Sequence, residues 1–233
     1  MLVTGIKSKP VYAPLQADVR GRYHLMVGSG VGAGPLLRVL AELQSAAVHA
    51  LKNTRVLFVP EAGEVHAADG RPAAAPDLAA PDIAAPDIAT PNIAAPEIER
   101  FRAAAVGQVR AFSGTRALLE EFRATLARSL MGTRLYVAGP ESFMGLVMKI
   151  ALEFNLNKDE IRAEECGTSA RRVYCIHCRA TTESVRTNIA RCVDCGRWLL
   201  VRDHYSRRLA AYMGVMVDAE APGELPPVKE VFL

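Results

Sequence analysis

The first long apolar run, Tyr23-His24-Leu25-Met26-Val27, predicts a strand. It ends in a glycine-rich turn, Gly28-Ser29-Gly30-Val31-Gly32-Ala33-Gly34-Pro35. Leu36, Leu37, Leu40 and Leu43 then recur at helical spacing, in a pattern that runs to about Leu51. Thr54 to Pro60 reads as a second strand. Strand, turn, helix and strand within about 40 residues make a βαβ unit, which implies a parallel sheet. Farther on, Ile98, Phe101, Val106, Val109, Leu118, Leu119, Phe122 and Leu126 predict helix over 97–130, interrupted near Gly114. Thr133 to Ala138 predicts another strand, followed by the turn Gly139-Pro140-Glu141 and a helix to about Asn155. A last strand is expected within 159–165. The fold class is therefore α/β.

Composition narrows the class. Of 233 residues, 50% are hydrophobic and 23% charged, which excludes global disorder and allows a sizeable core. This length suits a medium domain with a smaller module. The net charge of +3 does not by itself argue for nucleic acid. No apolar run reaches the ~18 residues that would span a bilayer. Met1 to Pro10 lacks a basic-then-apolar signal pattern, so the expected location is the cytoplasm. Residues 72–98 repeat a pentad, APDLA, APDIA, APDIA, TPNIA, APEI, with proline at 76, 81, 86, 91 and 96. Proline at every fifth position forbids a helix interior or a central strand, so an extended insertion is expected. The chain divides into an α/β domain over 1–166, a cysteine module over 167–212 and an extended acidic tail over 213–233. The module holds nine arginines against three acids, a local charge of +6, and the tail carries −3.

All five cysteines, Cys166, Cys175, Cys178, Cys192 and Cys195, lie within 30 residues. Cys175-Ile-His-Cys178 and Cys192-Val-Asp-Cys195-Gly196 form two C-x-x-C pairs thirteen residues apart. Each pair can grip one tetrahedral metal from a tight turn, and a hairpin between them closes the site. Gly196 permits the positive φ that such a turn needs. Zinc is the first choice, and a rubredoxin-like iron uses the same four thiolates. Four thiolates on a dication leave −2, which Arg171, Arg172, Arg179, Arg191 and Arg197 are placed in sequence to offset. His177 and Cys166 are read as spare, the first hydrogen-bonding at the surface and the second filling core.

The turn after Val27 and the run Val137-Ala138-Gly139-Pro140-Glu141-Ser142-Phe143-Met144 together carry a resemblance. Over residues 20–165 the chain resembles the NAD(P)H-binding domain of ferredoxin–NADP reductase-type enzymes. That resemblance implies a reductase-like fold and a possible NADPH site. Gly28, Gly30, Gly32, Gly34 and Pro35 would form its pyrophosphate loop, with Gly139 and Pro140 beside the nicotinamide. The sequence departs from the pattern where Gly34 replaces a threonine and Ala138 replaces a cysteine. No arginine-bearing segment follows Val59 to take a 2′-phosphate, and with about 20 residues upstream the flavin-binding barrel of those enzymes is expected to be missing. No catalytic residue is assigned.

A second resemblance is densest over 172–224. The cysteine pairs, Leu199-Leu-Val-Arg-Asp-His204-Tyr-Ser-Arg-Arg208, Ala211-Tyr-Met-Gly-Val215 and Asp218-Ala-Glu-Ala-Pro-Gly-Glu224 resemble the small DmmA-type subunit of bacterial dimethylamine monooxygenase. The family implies an accessory chain in an NADPH- and O2-dependent complex that converts dimethylamine to methylamine and formaldehyde. Haem, flavin and iron–sulfur centres would sit in partner subunits. Cys178 precedes Arg179 and Cys195 precedes Gly196, so this chain has no C-x-x-C-H haem signature, and it lacks plant-type [2Fe–2S] spacing. Asp203-His204 is read as an interface contact rather than an acid–base pair, because neighbours on a strand point to opposite faces, and Arg207-Arg208 as a solvated or partner-facing surface rather than a catalytic clamp. A nucleic-acid role is disfavoured, since few aromatics interleave the arginines.

Overall fold

The computed structural model describes residues 8–46, 48–60, 95–104 and 106–233. Two five-stranded sheets account for the architecture. The first contains β1 (Tyr23–Ser29), β2 (Thr54–Val59), β3 (Gln108–Ala111), β4 (Thr133–Gly139) and β5 (Ile161–Glu165). Its order is β3-β2-β1-β4-β5 and every pairing is parallel. The chain reverses direction across the sheet between β1 and β4, the switch point where doubly wound folds open their crevice.

Among the described residues four helices cover this sheet: α1 (Ala33–Ala46), α2 (Pro96–Ala103), α3 (Thr115–Ala127) and α4 (Glu141–Glu153). Successive strand side chains face opposite ways, so each strand feeds two cores. Met26, Val56, Phe58 and Tyr136 pack under α1 and α2 with Leu36, Val39, Leu40, Leu43, Ile98 and Phe101. Leu25, Val27, Leu57 and Val137 pack on the other face with Leu118, Phe122, Met144, Val147 and Ile150 of α3 and α4. Burial on both faces explains why the central strands read as unbroken apolar runs.

The structure corrects the reading of 97–130 as helix. Val106 and Val109 fit a helical spacing, yet residues 108–111 form β3, with Val109 opposite Val56. A four-residue edge strand is too short to show its own periodicity. Most of the pentad repeat, 72–94, lies outside the described residues. Its last copy is not extended, because Pro96 begins α2 and Ile98 is buried. Proline is tolerated there because the first helical N–H needs no partner within the helix.

The second sheet has the order β7-β6-β10-β9-β8, from β6 (Arg171–Cys175), β7 (Thr181–Val185), β8 (Ile189–Arg191), β9 (Trp198–Ser206) and β10 (Ala211–Met216). Only β6 and β10 pair in parallel within it. Residues 213–216, read as tail, therefore belong to β10, and the sheet ends four residues beyond the expected boundary. The rest of the tail returns along the module. Val231 and Phe232 both donate their N–H to the Arg186 carbonyl, and Thr187 bridges Glu230. Tail and module thus pair within one chain.

The two domains meet across α4. A Cβ at Gly145 would clash with the Tyr205 hydroxyl and come within 3.3 Å of the Ala210 Cβ, so glycine lets β9 and the β9–β10 turn approach the helix. The segment before β1 also spans both parts: Ser8 hydrogen-bonds the backbone of Asp203 and Tyr205, while the Leu15 N–H donates to Glu164. No helix among the described residues is long and apolar enough to cross a membrane.

Candidate metal centre

The sulfurs of Cys175, Cys178, Cys192 and Cys195 all lie within 4.8 Å of one another. Cys175 and Cys195 are 3.9 Å apart, and Cys178 and Cys192 are 3.4 Å apart. A tetrahedral ion with metal–sulfur bonds of about 2.3 Å would set sulfurs about 3.75 Å apart, so the donor set fits a single ion. No other group of three or more histidine, cysteine or acidic ligands converges in this way among the described residues.

The two cysteine turns are built alike. The Cys175 carbonyl accepts the Arg179 N–H at 2.9 Å, and the Cys192 carbonyl accepts the Gly196 N–H at 3.1 Å. The Cys175 and Cys192 amides donate to Ala180 and Arg197, both at 2.9 Å. Both turns need a left-handed residue at the same place. The second has Gly196 at φ +70, as its sequence suggests, whereas the first has Arg179 at φ +70 and carries the Cβ strain. Ile176 N–H to Gly214 and Val193 N–H to Thr182 tie the turns to β10 and β7. Cys175 and Cys192 are buried, while Cys178 and Cys195 are partly exposed. Burial pushes the Cys175, Cys178 and Cys192 thiols up, while the Arg197 amide holds Cys195 down, to about 6. Metal binding at such a set must release protons.

The spare residues fall as expected. His177 is exposed and its Nδ1 meets the Arg197 guanidinium at 2.6 Å. Cys166 packs against the first core, outside the cluster. Two of the five arginines expected to offset the thiolates face elsewhere: Arg172 grips Glu183, and Arg171 lies 2.7 Å from Asp203. Asp203 therefore pairs with Arg171 rather than with His204.

The glycine turn presents a different picture. Gly28 sits where a Cβ would press on Leu36 and lie 3.0 Å from Phe58, and at Gly32 a Cβ would overlap the Ala138 carbonyl. Both positions are explained by helix–strand packing. Gly30 takes φ +52, Gly34 faces open space, and Pro35 is buried in α1. Gly139 lies at φ +150, and Pro140 caps α4. The chain itself crosses the crevice between β1 and β4. Cys166 N–H donates to the Gly139 carbonyl at 3.0 Å, and Gly167 sits against Val31 and Pro140. Three carboxylates, Glu141, Glu164 and Glu165, stand at the first turn of α4 and the end of β5. These residues do not fit a dinucleotide laid across the switch point.

Sequence reasoning gave no role to Glu141, and it set Arg171 beside the thiolates rather than at the domain boundary. Glu141 is 4% exposed, and burial raises its carboxyl to about 7 against the opposing pull of Tyr205. The Arg171 guanidinium lies 4.0 Å from the Tyr212 ring centre and 3.8 Å from that of Phe232. The only local signal was a glutamate opening a helix after Gly-Pro, because the burial is created by the second sheet.

A doubly wound parallel domain joined to a tetrathiolate β module defines the class. Family models for the N-terminal and C-terminal domains of "dimethylamine monooxygenase subunit DmmA-like" match residues 89–161 and 172–215, just over half of the chain together. The chain belongs to this DmmA-like family. It is 36% identical over 98 residues to a "heme-dependent oxidative N-demethylase delta subunit" of Ectopseudomonas mendocina (strain ymp), covering 42% of this chain and 56% of that one. The chain thus spans little more than half the length of that relative. Solved structures similar to it include the ferredoxin reductase of carbazole 1,9a-dioxygenase, at 14% identity and TM-score 0.36 over 66% of this chain and 34% of that one. An intact type IV self-sufficient cytochrome P450 monooxygenase has 12% identity and TM-score 0.43, over 72% and 19%. The fold assignment above rests on strand order and pairing.

Proposed function

We propose that the chain is an accessory subunit of a multicomponent oxidative N-demethylase whose haem lies in a partner subunit. The observation that carries this reading is the match of both DmmA-like domains in order, joined to the relative named as a demethylase delta subunit. In the finer form of the proposal the complex acts on dimethylamine with NADPH and O2, flavin and iron–sulfur centres belong to other subunits, and the assembly works in the cytoplasm. The four cysteines hold one zinc, which fixes the module as a docking piece. Arg207 and Arg208 are exposed on the turn after β9 and offer guanidinium forks to acidic groups of a partner.

Partial exposure of Cys178 and Cys195 favours a second reading, in which the ion is iron and the module passes electrons. Metal analysis and the visible spectrum separate the two: zinc leaves the protein colourless, and ferric tetrathiolate colours it red. The test of the main proposal is co-expression with the haem-bearing partner. The full chain should co-purify with haem absorbance, a chain ending at Glu165 should not, and Arg207→Glu with Arg208→Glu should weaken association by about 2 kcal/mol or more. Assembly of the truncated chain with the haem subunit would refute the docking role.

A further inference from the structure

The parallel sheet has a free edge at β5, which ends the strand order; among the described residues no strand pairs with its outer side. A groove of about 320 Å3 lies against this edge, walled by the segment before β1, by α4 and β5, and by β9 and the turn after it. Its apolar wall includes Val11, Met148, Leu152, Ile161 and Ala163. Ile161 and Ala163 also pack on the core under α3 and α4, so the groove is an uncovered flank of that core. Leu152 is 44% exposed and Val11 is 94% exposed. Free strand edges and contiguous exposed apolar surface are normally covered in a working assembly.

Charge selects what covers it. Lys158, Arg162 and Arg207 line the groove, and among the described residues no carboxylate does. Arg162 shares Asp18 with Arg20 and Arg134. Lys158 and Arg207 are exposed, and neither makes a salt bridge among the described residues. A segment with an apolar centre and acidic flanks complements both the wall and these two cations, whereas a basic one is repelled. The acidic tail of this chain is engaged elsewhere, because Lys229 and Val231 are tied to Asn188 and Arg186 of the module.

We propose that this groove seats an apolar side chain from a segment of a partner subunit, with Lys158 and Arg207 taking carboxylates on either side of it. The inference rests on the accessory-subunit reading above and names the surface and the partner chemistry that reading leaves open. Tyr205 and Arg207 come from the module and the other walls from the parallel domain and the segment before it, so the occupant touches both domains. A chain cut at Glu165 loses the Tyr205 and Arg207 wall along with the module.

The test is calorimetric titration of the purified haem-bearing partner into the full chain and its variants, each checked for fold by circular dichroism. Leu152→Asp removes apolar surface and repels acidic flanks, and it should weaken association about tenfold or more. Lys158→Glu, on an exposed turn, is the second variant and should weaken it severalfold. Met131→Asp replaces an apolar side chain that is 97% exposed outside the groove, and it should change nothing. Equal affinity of the wild type and both folded groove variants would overturn the inference while the subunit reading stands. A wild-type chain that fails to associate at all would overturn the subunit reading and this inference with it. A dimer of the chain alone that Leu152→Asp dissolves would show a second copy in the groove, and would also overturn it.

Discussion

The two sheets of this chain reach stability by different routes. The parallel domain buries an apolar layer on each face, with Phe58, Phe101, Phe122 and Tyr136 fully enclosed. The β module has one small core, in which two of the eight buried residues are the cysteines Cys175 and Cys192. A unit of about 45 residues buries too little surface to hold by packing alone, so on the proposed reading an ion held by the four thiolates supplies what its core lacks. The same contrast sets where variation is tolerated. The first domain should fail by losing volume, and the second by losing ligands.

The largest effect should come from Cys192→Ser. It removes one of four thiolates, with an expected loss of several kcal/mol from the module. Two-domain melting should show the module's transition lost and the parallel domain's transition retained. A single merged transition in the wild type would break the comparison.

Phe122→Ala opens a cavity in the core under α3, where Phe122 is wholly buried. The expected cost is about 3–5 kcal/mol, confined to the parallel domain. Zinc content per folded module should stay at one by elemental analysis.

Glu141 gives a pH dependence that belongs to the boundary between the regions. Its folded value, raised to about 7 from 4.5 by burial, means that the unfolded chain binds fewer protons between those values. Stability should therefore fall as pH rises from about 4.5 to 7, by about 3 kcal/mol, and then level off. Denaturant melts of wild type and Glu141→Gln across pH 4–8 should show that fall in the wild type alone.

The smallest effect tests the likeness of the two cysteine turns. Arg179→Gly gives the first turn the residue that the second already has at φ +70. Stability of the module should rise by about 0.5–1 kcal/mol at unchanged metal content. A loss would mean that the Arg179 side chain carries more than its backbone strain costs.

How much of this was legible beforehand follows from the same contrast. The cysteine spacing gave the four-cysteine cluster directly, because the cysteines and their turns are local in sequence. The central strands were legible because burial on both faces writes long apolar runs at β1, β2 and β4. Strand β3 was not, since Gln108–Ala111 is short and half-exposed at an edge. The glycine turn suggested a phosphate loop because sequence cannot separate a glycine that admits a ligand from one that admits a strand. Gly32 against the Ala138 carbonyl is the second kind. Gly32→Asp would therefore test folding, and Gly34, which faces open space, is the position at which to test anion binding. Glu141 and the Arg171 sandwich were invisible because residues more than 40 apart in sequence create them.

The comparison is tested most directly by hydrogen-exchange mass spectrometry of the full chain before and after chelation of its metal. The account predicts that peptides covering 171–216 lose protection on chelation, that those covering β1, β2 and β4 keep theirs, and that restored zinc restores the first set. Unchanged protection over 171–216 in metal-free protein would contradict it, because the module would then stand on its core alone.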